Sequence, residues 1–295
     1  MTSVISIKDR SPRWARDAAI VATRGYGRAT SRARIVPDFL VIGTKRGGTT
    51  SLFNYLMMHP GFLGLFPRPR LQKSTDYFFK GYDRGEQWYR SNFHTQAFRD
   101  RMTARLGYEP KSGEASPYYV WDPRIAQRAY DVNPDLKAVM LVRNPVERAF
   151  SHWQERTHNG VEPLTFEQAL EAEDSRTRGE LERMLEDPLY YSEAHDWYTY
   201  RSRGTYLPQL QNWTSVFPPE QLLVICSEDM YADVQGTVDR VSAFLGLPAY
   251  QLPTTKTFNA SKRLPMPEAA REELTAFYAP QIRELSEHLG RPLSW

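Results

Sequence analysis

The most informative segment of the chain reads DFLVIGTKRGGTTSLFNYL and runs from Asp38 to Leu56. Its apolar start, residues 39–42, has the length and the β-branched content of a buried parallel strand. A glycine-rich basic turn follows, and after it Leu52 and Phe53 begin an apolar pattern with helical spacing. The order of strand, glycine turn and helix predicts a cradle for an anion at the positive end of the new helix.

The turn carries the chemical groups that such a cradle needs. Glycines let the backbone approach an anion closely, cations add full charges, and hydroxyls add hydrogen-bond donors. The alternative, an ordinary strand-to-helix turn that happens to be rich in glycine, accounts for neither the cations nor the hydroxyls. We therefore predict that the anion is bound by Lys45, Arg46, Gly47, Gly48, Thr49, Thr50 and Ser51.

The identity of the anion depends on where the cations stand in the turn. A nucleoside-triphosphate P-loop reads G-x-x-x-x-G-K-[ST], with the lysine directly before the hydroxyl that holds magnesium. Residues 43–50 keep both glycines, but Thr49 occupies the lysine position and the cations come earlier. This arrangement resembles the phosphosulfate loop of sulfotransferases that use 3′-phosphoadenosine 5′-phosphosulfate (PAPS).

A second, distant segment carries the same resemblance. Residues 136–153, LKAVMLVRNPVERAFSHW, again read as a buried strand that runs into a helix. Sulfotransferases have the pattern Arg-x-x-x-x-Arg-x-x-Ser after such a strand, and Arg143, Arg148 and Ser151 match it. The resemblance implies that Arg143 and Ser151 bind the 3′-phosphate of the nucleotide, for which the arginine fork is well suited. It also implies that Tyr206, Lys262 and Arg263 contact the nucleotide. For Tyr206, packing in the protein interior is the alternative.

Two carboxylates are candidates for the base that takes the proton of the acceptor. Residues 73–79, KSTDYFF, look like the Lys-Glu-x-His-Phe-Phe segment of heparan-sulfate sulfotransferases, in which the glutamate is the base. Here Ser74 and Asp76 replace the glutamate and the histidine. Glu114 stands where the same enzymes have a lysine on the acceptor side. We expect Glu114 at the mouth of the basic cleft as the first candidate and Asp76 as the second, while a structural role for Glu114 stays open.

The resemblance implies a reaction, the in-line transfer of a sulfuryl group from PAPS to a hydroxyl or an amine. Arg46 aligns with the loop lysine of the family, which bridges the donor and leaving oxygens. Because a guanidinium does not release its proton, the neighbouring Lys45 is expected to take over proton donation. Fixed cations and backbone donors can stabilise the transition state, so we expect no metal requirement. The expected acceptor is a carbohydrate, a glycolipid or another hydroxylated metabolite.

Strands that alternate with helices predict an α/β fold. We expect a P-loop-like open parallel sheet with helices on both faces, in a single sulfotransferase domain over residues 37–295. Both anion-binding segments would then meet at one edge of the sheet. Two alternatives stay open. A P-loop kinase is disfavoured by Thr49 and by Arg143-Asn144, where a magnesium-binding Asp would be expected. A non-catalytic nucleotide-binding or membrane-adaptor protein is suggested by the basic N-terminus.

Composition separates a basic arm from the rest of the chain. Residues 1–36 contain eight Lys or Arg and two Asp, a net charge of +6, so the remainder carries −3 of the total +3. We expect this arm to include an amphipathic helix from Ser11-Pro12 to near Gly25. It either makes peripheral contact with an anionic membrane surface or stays solvated. A single cysteine, Cys226, and the absence of a long apolar run lead us to expect a cytoplasmic protein without a nucleic-acid partner.

Overall fold

The centre of the molecule is a five-stranded parallel sheet with the strand order β2-β3-β1-β4-β5. The computed structural model describes residues 13–67, 72–255, 264–293 and 295, with backbone only for residues 13–20. The strands are β1 (Phe39–Gly43), β2 (Phe62–Leu63), β3 (Lys111–Ala115), β4 (Lys137–Val142) and β5 (Leu222–Cys226). The predicted open parallel sheet is therefore confirmed.

Helices connect the strands and cover both faces of the sheet. In the described part of the chain they are α1 (Arg13–Ala29), α2 (Thr49–Leu56), α3 (Tyr77–Lys80), α4 (Glu86–Arg90), α5 (Gln96–Leu106), α6 (Ile125–Val132), α7 (Pro145–His158), α8 (Phe166–Thr177), α9 (Glu180–Glu186), α10 (Glu193–Trp197), α11 (Tyr206–Thr214), α12 (Ser227–Ala232), α13 (Val234–Phe244) and α14 (Glu268–Leu289). No described helix combines the length and the apolar character that a membrane span requires.

Strand β1 is the central strand, and all five of its residues are buried. Leu40 and Ile42 pack with aromatic side chains on one face, whereas Phe39 and Val41 pack against α2 and α13 on the other. A strand with both faces covered has no polar side, which explains its continuous apolar sequence. The strand order reverses at β1, so the carboxyl ends of β1 and β4 meet at the switch point, where ligands bind in open α/β sheets.

The basic N-terminal segment includes a helix, as expected from the sequence. Helix α1 continues to Ala29, beyond the predicted end near Gly25, and its predicted start at Ser11-Pro12 lies outside the described residues. Near its end the Tyr26 ring lies edge-on to Phe66, with 6.2 Å between the ring centroids. The last turns of this helix therefore pack on the body of the protein.

We predict that Gly113→Ala lowers the free energy of unfolding by about 1–3 kcal/mol, the usual range for overpacking. Gly113 pairs with Phe39 across β3 and β1, and an added Cβ would lie 2.5 Å from the Phe39 ring and 2.6 Å from its carbonyl oxygen. Because the carbonyl belongs to the central strand, it cannot move aside. Urea unfolding measures the change.

Gly25→Ala is the matched control. Gly25 is exposed on α1 and an added Cβ meets nothing within 4 Å, so alanine is expected to raise stability by up to about 1 kcal/mol. An unchanged urea midpoint for Gly113→Ala would contradict the close packing of β3 on β1.

Candidate active site

The turn between β1 and α2, residues 43–51, is named here the anion loop. Two of its residues have left-handed backbone, Arg46 with φ 66° and Gly48 with φ 87°. Glycine is needed at position 48 because a Cβ there would also lie 2.9 Å from Met230 Cε and 3.0 Å from the Tyr231 hydroxyl. Helix α2 begins directly afterwards at Thr49. The first N–H groups of a helix have no acceptor within the helix itself, and those of α2 lie at the switch point, as an anion site requires.

The two anion-binding segments are in direct contact. Arg143, at the end of β4, donates from Nη1 to the carbonyl oxygen of Arg46 at 2.9 Å. Arg46 in turn donates from Nε to Ser151 Oγ on α7 at 3.0 Å. The carbonyl contact holds Arg46 in a backbone conformation that non-glycine residues seldom adopt. The expectation that both segments meet at one edge of the sheet is confirmed.

A cleft of about 910 Å³ opens along these contacts. Most of the predicted nucleotide-binding residues line it, namely Lys45, Arg46, Gly48, Thr49, Thr50, Ser51, Arg143 and Ser151. Gly47 is the exception within the anion loop. Its N–H donates to the Thr44 carbonyl at 2.9 Å, and its own carbonyl accepts from the Ser227 hydroxyl at 2.5 Å. Gly47 therefore shapes the loop from behind and does not face the cleft.

Lys45 lies at the bottom of the cleft and is only 8% exposed. Its Nζ is 3.6 Å from Asp196 Oδ1 on α10. Burial, and then the positive charge of Arg203, lowers the pKa of Lys45 to about 7, although Asp196 opposes the shift. Asp196 also accepts a hydrogen bond from the Tyr191 hydroxyl at 2.7 Å. The carboxylate that holds Lys45 thus comes from α10, a helix in which the sequence analysis named no site residue.

Further positive and polar groups are buried beneath the loop. Arg203 is fully buried and lies 3.6 Å from Asp196, so this carboxylate is shared between two cations. His152 is also fully buried, and neither ring nitrogen has a hydrogen-bond partner among the described residues. Burial and the charge of Lys45 hold the pKa of His152 well below its usual value, so the ring is neutral. Arg203 and His152 therefore leave buried nitrogen atoms without hydrogen-bond partners among the described residues.

Lys73 is a cleft residue to which the sequence analysis assigned no role. Its Nζ donates to Thr49 Oγ1 at 3.0 Å, at the first turn of α2. Burial lowers the pKa of Lys73 to about 8. The signal was present in the sequence, because Lys73 is the residue of the KSTDYFF segment that matches the sulfotransferase pattern unchanged.

The expectation that Glu114 stands at the mouth of the cleft is wrong. Its side chain is fully buried on β3 and accepts four hydrogen bonds. The donors are Thr75 N at 2.5 Å, Thr75 Oγ1 at 2.9 Å, the Tyr89 hydroxyl at 2.8 Å and the Tyr119 hydroxyl at 2.9 Å. Burial raises its pKa to about 7 against the effect of these donors. Glu114 fastens the segment that carries Lys73 to the sheet, and it has no path to an acceptor.

Two other predicted residues also lie off the cleft. Asp76 begins α3 with φ 54° and accepts a hydrogen bond from Ser74 Oγ at 2.6 Å; it does not line the cleft. Tyr206 is buried, and its hydroxyl donates to the Arg143 carbonyl at 2.8 Å. Tyr206 therefore packs in the interior and supports the end of β4, as in the packing alternative, and its contact with a nucleotide stays a prediction. Lys262 and Arg263 lie outside the described residues.

Glu155 is one of three acidic residues in the described part of the cleft to which the sequence analysis assigned no role. Glu155 lines the cleft from α7, four residues after Ser151. Residues four apart share a helix face, so the position of Ser151 was a sufficient signal to find it. Arg148, between the two family positions, is fully buried and donates to the Tyr200 carbonyl, which keeps it out of the cleft.

Comparison with known proteins agrees with this geometry. The chain is 27% identical over 291 residues to heparan sulfate glucosamine 3-O-sulfotransferase 6 of Mus musculus, covering 89% of this chain and 74% of the relative. It is 28% identical to bifunctional heparan sulfate N-deacetylase/N-sulfotransferase 3 of Homo sapiens, covering 88% of this chain but only 31% of that longer protein.

A solved structure and a family model also match most of the chain. The crystal structure of a sulfotransferase from Alicyclobacillus acidocaldarius superposes with a TM-score of 0.66 at 31% identity, covering 88% of this chain and 98% of the other. The family model described as "Sulfotransferase domain" matches residues 36–287. The chain therefore belongs to the sulfotransferase domain family and is a sulfotransferase.

Proposed function

We propose that this enzyme transfers the sulfuryl group of PAPS to a hydroxyl or an amine of a carbohydrate, glycolipid or other hydroxylated acceptor. The observation that carries the proposal is the chain of contacts from Arg143 through Arg46 to Ser151. These contacts bring the two anion-binding segments together on one cleft, as a nucleotide with phosphate groups at both its 3′ and 5′ positions requires.

The donor would extend along the cleft from β4 to the anion loop. At one end Arg143 and Ser151 hold the 3′-phosphate, where the guanidinium offers a planar pair of donors. At the other end Lys45, Arg46 and the N–H groups at the start of α2 hold the phosphosulfate. The Arg46 side chain lies between the two ends, because its backbone belongs to the anion loop while its Nε donates to Ser151 Oγ at 3.0 Å.

The chemistry is a single displacement at sulfur. The acceptor oxygen or nitrogen forms a bond to sulfur while the bond from sulfur to the bridging oxygen breaks. The electron pair of that bond leaves with 3′,5′-adenosine bisphosphate. Preorganised cations and backbone donors stabilise the charge that develops on the leaving group. The Lys45 ammonium, which a bound anion keeps protonated, can give a proton to the leaving oxygen.

A carbohydrate acceptor is supported by the names of the relatives. Two of them are described as heparan sulfate glucosamine 3-O-sulfotransferase and as N-deacetylase/N-sulfotransferase, which act on a hydroxyl and on an amine of a glycan. This chain departs from the heparan-sulfate pattern at Ser74, Asp76 and Glu114. The sulfated position and the acceptor of this protein are therefore to be found by screening glycans and smaller hydroxylated compounds with PAPS.

We predict that 3′,5′-adenosine bisphosphate at about 100 times its Kd stabilises the protein by about 2.7 kcal/mol, whereas ATP with magnesium does not. Arg143→Ala should abolish the thermal shift because the 3′-phosphate loses its charged donor. Arg283→Ala, a change at an exposed arginine on α14, is the control and should keep the full shift. Stabilisation by magnesium-ATP alone would favour the kinase alternative.

We also predict that Arg46→Ala lowers the rate of bisphosphate formation from PAPS by about 10²–10³, the usual cost of losing one electrostatic contact to the transition state. Arg46→Lys should retain most of the rate, since the family has a lysine here. Both rates are measured by chromatography of the nucleotide, with desulfated heparan sulfate as the first acceptor. A wild-type rate for Arg46→Ala would exclude the assigned role.

Nucleotide binding should take up protons above neutral pH. Burial lowers the pKa of Lys45 to about 7 and that of Lys73 to about 8, so both lose protons as the pH rises from 7 to 9. A bound phosphate raises both pKa values again, and affinity must therefore fall over this range. Calorimetry at pH 8 in two buffers of different ionisation enthalpy measures the uptake.

Lys45→Met is the test variant for this effect. It should bind the bisphosphate more weakly at pH 7 and take up fewer protons at pH 8 than the wild type. Equal binding heats in the two buffers for the wild-type protein would show that neither lysine changes its charge on binding.

A further inference from the structure

We infer that Glu155 is the general base that removes the proton from the acceptor, an inference that rests on the proposed function. Three carboxylates line the described part of the cleft, on Glu147, Glu155 and Glu228. Neither predicted base is among them. The structure therefore calls for a different acidic residue at the point where the acceptor meets the sulfuryl group.

Two of these three carboxylates are already engaged. Glu147 Oε1 pairs with Arg271 Nη1 at 2.9 Å. Glu228 accepts from the Asn144 N–H at 2.9 Å and from Trp295 Nε1 at 3.2 Å. Both lie beside Asn144 and the start of α7, at the end of the cleft assigned to the 3′-phosphate. Their hydrogen bonds and their position make them unsuitable as bases.

Glu155 differs from both in its surroundings. Its side chain is 29% exposed at the cleft, and its Oε2 has no hydrogen-bond partner among the described residues. Arg156 Nη2 lies 3.7 Å from this oxygen, beyond hydrogen-bond distance. A buried carboxylate oxygen without a donor is unfavourable, so Glu155 gains a hydrogen bond when its carboxylate turns toward the hydroxyl of an acceptor bound at the exposed side of the side chain.

The position of Glu155 along α7 places it beyond the anion loop, where the acceptor would bind. Glu147, Ser151 and Glu155 follow one another at intervals of four residues and all line the cleft. Each interval advances about 6 Å along the helix axis. Glu147 marks the end of the 3′-phosphate, Ser151 touches Arg46 of the anion loop, and Glu155 lies one turn further on. Along the axis of α7, the 3′-phosphate end of the cleft thus comes first, the anion loop second and the acceptor end third.

The charges around Glu155 support the same placement. Its carboxylate acts on the two loop-side lysines, Lys45 and Lys73, where it opposes the fall in their pKa values. Lys73 is itself bonded to Thr49, at the first turn of α2. Glu155 therefore lies close to the cations that would surround the transferred group. With Arg156 on its own helix, these are the charged groups that the structure gives around it.

Each proton and electron pair that moves in this step has a group that accepts it. The acceptor O–H or N–H proton passes to a Glu155 oxygen as the acceptor lone pair forms the new bond to sulfur. The electron pair of the bond between sulfur and the bridging oxygen leaves with the bisphosphate, next to Lys45 and Arg46. Glu155 then releases its proton to solvent when the product leaves. Proton removal by a positioned base contributes about 10²–10⁴ in rate.

The test compares Glu155→Gln, which keeps the size of the side chain, with Glu171→Gln, a change at an exposed glutamate on α8. Bisphosphate affinity and thermal midpoint are measured first. PAPS consumption is then measured with desulfated heparan sulfate and, for transfer to water, in buffer alone. We expect Glu155→Gln to bind the bisphosphate within about threefold of the wild type but to consume PAPS about 10²–10⁴ times more slowly. Glu171→Gln should match the wild type.

Chemical rescue separates a base from a residue that only shapes the cleft. In Glu155→Ala, added formate should restore part of the lost rate, because a small carboxylate can enter the vacated space. Loss of rate without rescue would overturn the assignment as a base. A wild-type rate in Glu155→Gln, or loss of bisphosphate binding in that variant, would overturn it as well.

Failure of the proposed function gives a different result. If the wild-type protein neither binds the bisphosphate nor consumes PAPS, the donor assignment is wrong and the role of Glu155 falls with it. If the wild type does both and only the Glu155 variants behave unexpectedly, the donor assignment stands.

Discussion

The contact between the Arg143 guanidinium and the Arg46 carbonyl is the interaction on which the site depends. It joins the ends of two neighbouring parallel strands and holds a residue with positive φ at the turn. With that carbonyl fixed, the Arg46 side chain reaches Ser151 and the N–H groups of α2 face the cleft. The parallel sheet supplies the strand ends, and this single hydrogen bond converts them into one binding surface.

Charge is distributed unevenly across that surface. Lys45, Lys73, Arg46 and Arg143 line the cleft, while Asp196 is shared between Lys45 and Arg203 beneath it. Burial of the two lysines lowers their pKa values, so both release protons near and above neutral pH when no anion is bound. An anionic ligand reverses that release. The donors are therefore already in place before the ligand arrives, and electrostatic preorganisation of this kind costs little when the charge of the transition state develops.

Sequence alone was sufficient for the sheet and for the meeting of the two predicted anion-binding segments at one edge of it. Residues 39–42 and 138–142 are continuous apolar runs, and the polar groups that follow them are adjacent in the chain, so their positions at the sheet edge follow from strand order. The family resemblance added the distinction between phosphate and phosphosulfate, which local spacing supports at Thr49.

The acceptor side could not be predicted in the same way. Glu114 is held in the interior by hydrogen bonds from Thr75 and from two tyrosine hydroxyls, which only the folded chain brings next to it. Tyr206 points into the interior because of the packing of α11. Neither arrangement produces a periodic pattern in the amino-acid sequence. Glu155 is different because it repeats the position of Ser151 one turn later on the same helix, a regularity that was readable but was not used.

The ion pair between Lys45 and Asp196 has a consequence for the order of events in the cleft. One partner belongs to the anion loop and the other to α10, a helix from the segment between α9 and α11. An acceptor that moves α10 changes the electrostatic environment of the loop lysine, and a nucleotide that attracts the lysine changes the restraint on α10. Thermodynamic linkage makes these two effects equal in size, so substrate and cosubstrate that act through this pair are bound to be cooperative in both directions.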